Sequence, residues 1–213
     1  HVIVPHLKFE TSKGKKKIKA KPGKKPQQPP KVIGKTPITV AIFTYGDRIQ
    51  DVTRGLHQAE IVAFDAEEDI AVVRITPDAG LYPHIAAFAP KDIKLVPFTT
   101  VWSVGSAQPL FPFPVRGAIG GMDFRSGKKG VEDGGDIITT APITSGNSGG
   151  PVFRYARTCG CYEVIGITYG SQEDDDVKGG SIPHMAYSVP AWKVHAFLEQ
   201  NGLDFIVRHH NPQ

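Results

Sequence analysis

Gly146-Asn147-Ser148-Gly149-Gly150-Pro151-Val152 decides how this chain is read. A serine set among glycines makes a tight, exposed turn between two apolar runs. A side chain at Gly146 or Gly149 would obstruct the turn and the approach of a ligand, because only glycine takes unusual backbone conformations without steric cost. In such a turn the N–H groups of Gly146 and Ser148 can point at one spot. An oxyanion hole requires that, and losing one donor typically costs about 10²–10³ in rate. The plainer alternative is a glycine-rich turn with an incidental serine, and the flanking sequence decides between the two.

Outward from this turn the pattern is that of short strands. Pro151–Tyr155 and Glu163–Tyr169 follow it, and Asp136–Thr140, Gly117–Met122 and Thr99–Val104 precede it. Further upstream, Ile38–Thr44 ends at the hairpin signal Tyr45-Gly46-Asp47, and Ala59–Phe64 and Ile70–Ile75 come next. Many short strands at this spacing predict sandwiches or barrels. One helix is predicted, about Pro190–Gln200. Pro190 suits its first turn, Trp192, Phe197 and Leu198 form its apolar stripe, and Gly202 suits its stop.

The chain has 213 residues, 40% of them hydrophobic, enough for one domain or two small lobes with a real core. Its net charge of +4 hides a division. Residues 8–35 hold eleven lysines and one acid, Glu10, which leaves 14 bases against 20 acids elsewhere. A mildly acidic body therefore carries one strongly basic segment. That segment is rich in Lys, Pro and Gln and reads as a solvated, mobile insertion. Its other reading is a weak contact for nucleic acid or an anionic surface through Lys13–Lys25, with no aromatic residue between the lysines to stack on bases. No run of about 18 apolar residues is present, so no membrane-spanning helix is expected.

The run Gly146–Val152 resembles the nucleophile loop of trypsin-like serine proteases, and most closely that of the high-temperature-requirement branch, with Asn before the serine. Phe64-Asp65-Ala66-Glu67-Glu68-Asp69-Ile70-Ala71-Val72-Val73-Arg74-Ile75 is similar to the family's acid-bearing strand. Val164-Ile165-Gly166-Ile167-Thr168-Tyr169-Gly170 resembles the strand that pairs with a substrate backbone, and Met185–Pro190 the last strand before the helix. The likeness covers about residues 1–7 and 36–200. It implies an all-β fold of two six-stranded antiparallel barrels with a C-terminal helix. The lobes would be 1–95, with 8–36 as the basic insertion, and 96–189, followed by the helix 190–202 and a tail 203–213. The first barrel is expected to be incomplete at its N-terminus, because the family places strands before the segment that His1-Val2-Ile3-Val4 resembles.

The resemblance also assigns roles. Ser148 is the nucleophile, Asp69 the orienting acid with Asp65 its nearest rival, and His1 the general base with His6 and His57 as rivals. Gly146 and Ser148 supply the oxyanion hole. Pro142, Ile143, Thr144 and Ser145 on one side, with Thr168, Tyr169 and Gly170 on the other, form the substrate pocket. Members that cut after Arg or Lys carry an acid six residues before the serine. Pro142 stands there, so small to medium apolar residues are expected on the acyl side of the cut bond, because a buried cation would go uncompensated. Neutral Asn147 implies no activation by an inserted amino terminus. No cofactor or metal is required, polypeptides are the implied substrates, and an extracytoplasmic location is the family's default.

Two smaller features are read as inert. Cys159 and Cys161, one residue apart, are expected as free thiols in a turn. Glu173-Asp174-Asp175-Asp176 is expected to be a solvated acidic loop. The rival functions are a binding or scaffolding module on the same fold, and an RNA-virus polyprotein protease whose lysine segment meets RNA.

Overall fold

A computed structural model describes residues 38–48, 50–75, 85–107, 110–123, 135–174 and 180–207. The first three strands, β1 (Ile38–Tyr45), β2 (Val52–Asp65) and β3 (Ile70–Ile75), form an antiparallel sheet in chain order. Val40 and Ile42 of β1 are buried while Thr39 and Ala41 face solvent, the period-two alternation of a half-covered strand. The predicted turn at Gly46 is closed by its N–H, which donates to Asp51 O at 2.6 Å. β2 runs well past the predicted Ala59–Phe64 because it serves two partners. Val52–Ala59 pairs with β1 and Ala59–Asp65 with β3.

Six further strands close on themselves: β5 (Thr100–Gly105), β6 (Phe113–Asp123), β7 (Asp136–Thr139), β8 (Pro151–Ala156), β9 (Cys161–Asp174) and β10 (Gly180–Pro190). Their order is β10-β7-β6-β5-β8-β9, and β9 pairs back onto β10. A closed antiparallel ring leaves no sheet edge inside it to be satisfied by another chain. The short β4 (Ala87–Phe88) pairs in parallel with β9, and Phe88 joins the buried core. The expected second barrel is therefore present. Of the expected first lobe, 1–95, the described residues include the three-stranded sheet and β4, which pairs with the barrel, while His1 to Pro37, with the lysine-rich segment, lie outside them.

The barrel core is built from Val101, Ile119, Val152, Val164 and Ile165, and Ile70 of β3 packs into the same cluster. Tyr45 adds a second tie between sheet and barrel. Its hydroxyl donates to the Pro112 carbonyl, and its ring stands edge-on to Phe111 at 6.2 Å.

The helix α1 (Ala191–Gln200) lays Val194, Phe197 and Leu198 on that core. Pro190 is not in its first turn as predicted. It is the extended N-cap residue, with φ −73° and ψ 155°, and the last residue of β10. The predicted stop is correct and has a physical form. Gly202 takes φ +68°, its N–H donates to Glu199 O, and Leu203 N–H reaches back to Leu198 O at 2.8 Å. None of the helices among the described residues is long and apolar enough to cross a membrane.

The cysteines require a correction. Cys159 and Cys161 form a disulfide and not two free thiols. The register Ala156↔Cys161 confines the hairpin tip to four residues, and Gly160 at φ +64° folds it back. That brings the two Cα atoms to 5.2 Å, within the ordinary range for a bridge.

Candidate active site

The serine turn lies in the link between β7 and β8 and is laced to β9 by its own backbone. Gly149 N–H donates to Thr168 O at 2.6 Å, and Thr168 N–H donates to Gly150 O at 2.8 Å. Gly150 N–H closes a turn on Asn147 O at 3.0 Å. Gly146 and Gly149 adopt φ +103° and +85°, in the region that L-residues with a Cβ avoid. Gly150 is required for space: a Cβ there would lie 2.1 Å from Val104 O. Backbone cannot move aside as a side chain does. Gly150→Ala is accordingly expected to destabilise the protein by about 2 kcal/mol or more, a drop of about 4–8 °C in the melting temperature for a chain of this size. Gly170→Ala, where an added Cβ meets nothing within 4 Å, serves as the control and should melt close to the parent.

Ser148 is half-buried at the tip of this turn. Its hydroxyl donates to the Tyr169 carbonyl at 3.0 Å. Among the described residues, neither its own N–H nor that of Gly146 donates to a backbone carbonyl. Beneath it Asn147 is only 2% exposed and packs on Gly105, where a Cβ would come within 2.8 Å of the Asn147 backbone. The Asn147 Oδ1 has no hydrogen-bond partner among the described residues.

The predicted pocket wall is divided in character. Ile143 is buried and Pro142 half-buried, whereas Thr144 and Ser145 are exposed. Tyr169 and Gly170 are half-buried. Thr168 is buried, and its hydroxyl lies 3.4 Å from both Ser103 Oγ and Ser188 Oγ, a hydroxyl ladder across β5, β9 and β10.

Asp69 ends the turn that joins β2 to β3. Asp65 Oδ1 accepts the N–H groups of Glu67 at 2.8 Å and Glu68 at 3.1 Å, so the rival acid is engaged in ordering this turn. Asp69 itself takes φ +54°, a left-handed conformation that Asp tolerates better than most residues. Ile70, the next residue, is 5% exposed and anchors the turn in the barrel core. His57 lies in β2 opposite Val40, and His1 and His6 lie outside the described residues.

A cavity of about 470 Å³ opens between this turn and the barrel. Asp69, Glu67 and Glu68 line one side, and Tyr169, Asp136, Val189 and Lys193 the other. Asp69 thus shares a cavity with the residue whose carbonyl holds the Ser148 hydroxyl. Tyr169 donates from its hydroxyl to Asp136 Oδ2 at 3.0 Å. Burial raises the pKa of this phenol, and the neighbouring Asp136 charge and hydrogen bond raise it further, so it stays a neutral donor. Lys193 Nζ stands 3.1 Å from Asp136 Oδ1 and 3.3 Å from Glu68 Oε2.

Asp136 and Lys193 were not singled out in the sequence. Asp136 begins a short apolar strand and carries no local mark. Lys193 did carry one, since it shares a helix face with the buried Phe197, a place where a lysine calls for a partner.

Comparison with known proteins bears on the family and the fold. The family model of the trypsin-like peptidase domain matches residues 32–167, more than half of the chain. Matches of fold extend to 274 chains of solved structures. One is the MamO protease domain from Magnetospirillum magneticum in its apo form, at a TM-score of 0.52 and 17% identity over 75% of this chain and 74% of that one. No curated protein sequence matches.

Proposed function

Because the chain belongs to the trypsin-like peptidase domain family, we propose that it is a serine endopeptidase of the high-temperature-requirement type. Ser148 attacks the scissile carbonyl carbon, and His1 takes the hydroxyl proton. Asp69 holds the imidazole in the required tautomer and stabilises its cation. The oxyanion that forms is received by the Gly146 and Ser148 N–H groups. As the C–N bond breaks, the imidazolium returns its proton to the leaving amine. Water then repeats the sequence on the acyl-enzyme and frees the new carboxyl terminus.

One observation carries this reading. Ser148 stands on a left-handed glycine turn, half-buried, with its hydroxyl on the Tyr169 carbonyl, and Tyr169 lines the same cavity as Asp69. The sequence between Pro142 and Ser145 supports the apolar preference, since it offers no acid to meet a cationic side chain. Asn147, neutral and buried, supports control by loop ordering or assembly over an inserted amino terminus.

Digestion of an unbiased peptide library by the full-length protein tests the proposal. Cuts should fall after Val, Ala, Ile or Leu, and a profile dominated by Arg or Lys would overturn the specificity. An absence of any cut in the library would overturn the activity and leave a binding module on the same fold.

A further inference from the structure

Lys193 belongs to the C-terminal helix, yet its ammonium reaches into the cavity between the Asp69 turn and the barrel. Its side chain is 9% exposed, and among the described residues it meets two carboxylates that come from different parts of the fold. Asp136 Oδ1, at 3.1 Å, belongs to the start of β7 in the barrel, and its side chain is buried to the same degree. Glu68 Oε2, at 3.3 Å, belongs to the turn that ends in Asp69. Among the described residues lining this cavity Lys193 is the single cation, facing Glu67, Glu68, Asp69 and Asp136.

We infer that Lys193 is a positioning residue, an ammonium clamp that holds the Asp69 turn in register with the nucleophile loop. The far end of the clamp is fixed to the nucleophile side. Asp136 Oδ2 accepts the Tyr169 hydroxyl at 3.0 Å, and the Tyr169 carbonyl accepts the Ser148 hydroxyl at 3.0 Å. Its near end is Glu68, one residue from Asp69 along a turn already ordered by Asp65. A chain of four contacts thus runs from the acid-bearing turn to the serine, and Lys193 is its one link between the two lobes. Without the ammonium, carboxylates from both lobes face one another across the cavity and repel. The turn then has reason to swing away, taking Asp69 with it. Displacement by about 1 Å can cost about 10² in rate.

The kinetic arm of this inference rests on the endopeptidase reading, and the structural arm does not. Lys193→Met and Lys193→Arg are made in the full-length protein, with Glu68→Gln as the variant that opens the clamp while leaving Lys193 paired to Asp136. Amide hydrogen exchange at residues 67–70 is measured for each, with kcat and KM on a peptide substrate. Lys193→Met and Glu68→Gln should each speed exchange in that turn, and kcat should fall about 10- to 100-fold for Lys193→Met with KM nearly unchanged. Lys193→Arg should restore both. Unchanged exchange in Glu68→Gln and Lys193→Met would overturn the clamp, and so would faster exchange with kcat untouched. Should Lys193→Met fail to fold, Glu68→Gln alone decides through its exchange and its kcat. If the parent cleaves nothing, the endopeptidase reading fails by itself, and exchange still decides whether Lys193 holds the turn.

Discussion

Ser148→Ala in the full-length protein is expected to lower kcat by about 10⁶-fold while KM stays within a few-fold of the parent. Only the attacking oxygen is removed. The turn that carries it is held by backbone bonds from Gly149, Gly150 and Thr168, none of which involves the serine side chain. Among the described residues the hydroxyl makes one hydrogen bond, to the Tyr169 carbonyl. Losing it should cost only about 1 kcal/mol of stability. A large loss of rate beside a nearly unchanged melting temperature is therefore the expected signature, and steady-state kinetics with a thermal melt reads both. Residual rate above that of water would come from the oxyanion donors and substrate binding, which the substitution leaves in place. Retained hydrolysis in Ser148→Ala would remove the serine from the mechanism.

The second large effect is expected at Asp69. Asp69→Asn should lower kcat by about 10⁴-fold, because an amide can present its N–H to the imidazole and select the wrong tautomer. The choice of Asn isolates this effect. Asp69 sits at φ +54°, and Asn tolerates that conformation as Asp does, so the turn is kept. Alanine would add backbone strain and confuse the two causes. Asp65→Asn is the matching control: it retains the Oδ1 that accepts the Glu67 and Glu68 amides and should leave kcat within a few-fold of the parent. A loss at Asp65 larger than that at Asp69 would exchange the two assignments.

How legible these features were in the sequence depends on the range of the interaction behind them. The glycine turn could be read locally, because positive φ at Gly146 and Gly149 is a property of those residues themselves. β3 was read correctly at both ends, since Ile70-Ala71-Val72-Val73-Arg74-Ile75 is bounded by a polar turn. The extra length of β2 was not, because it comes from having one partner on each side. Closure of the barrel by β9 on β10 likewise depends on a register that no local pattern records. Gly150 looked like one more turn glycine, and its requirement comes from Val104 O on another strand. The Lys193–Asp136–Tyr169 chain joins a helix and two strands, and only the lysine on an apolar helix face hinted at it. For Cys159 and Cys161 the short spacing argued against a bridge, and the tight hairpin tip makes one.

One hydroxyl, that of Ser148, carries the proposed chemistry. The full-length protein is treated with a fluorophosphonate, which an activated serine attacks at phosphorus with loss of fluoride, and the adduct is located by peptide mass mapping. One adduct per chain is predicted, on the peptide containing Ser148, absent in Ser148→Ala and much slower to form in Asp69→Asn. An unlabelled parent chain, or an adduct on any other residue, would contradict the proposal that Ser148 is the nucleophile.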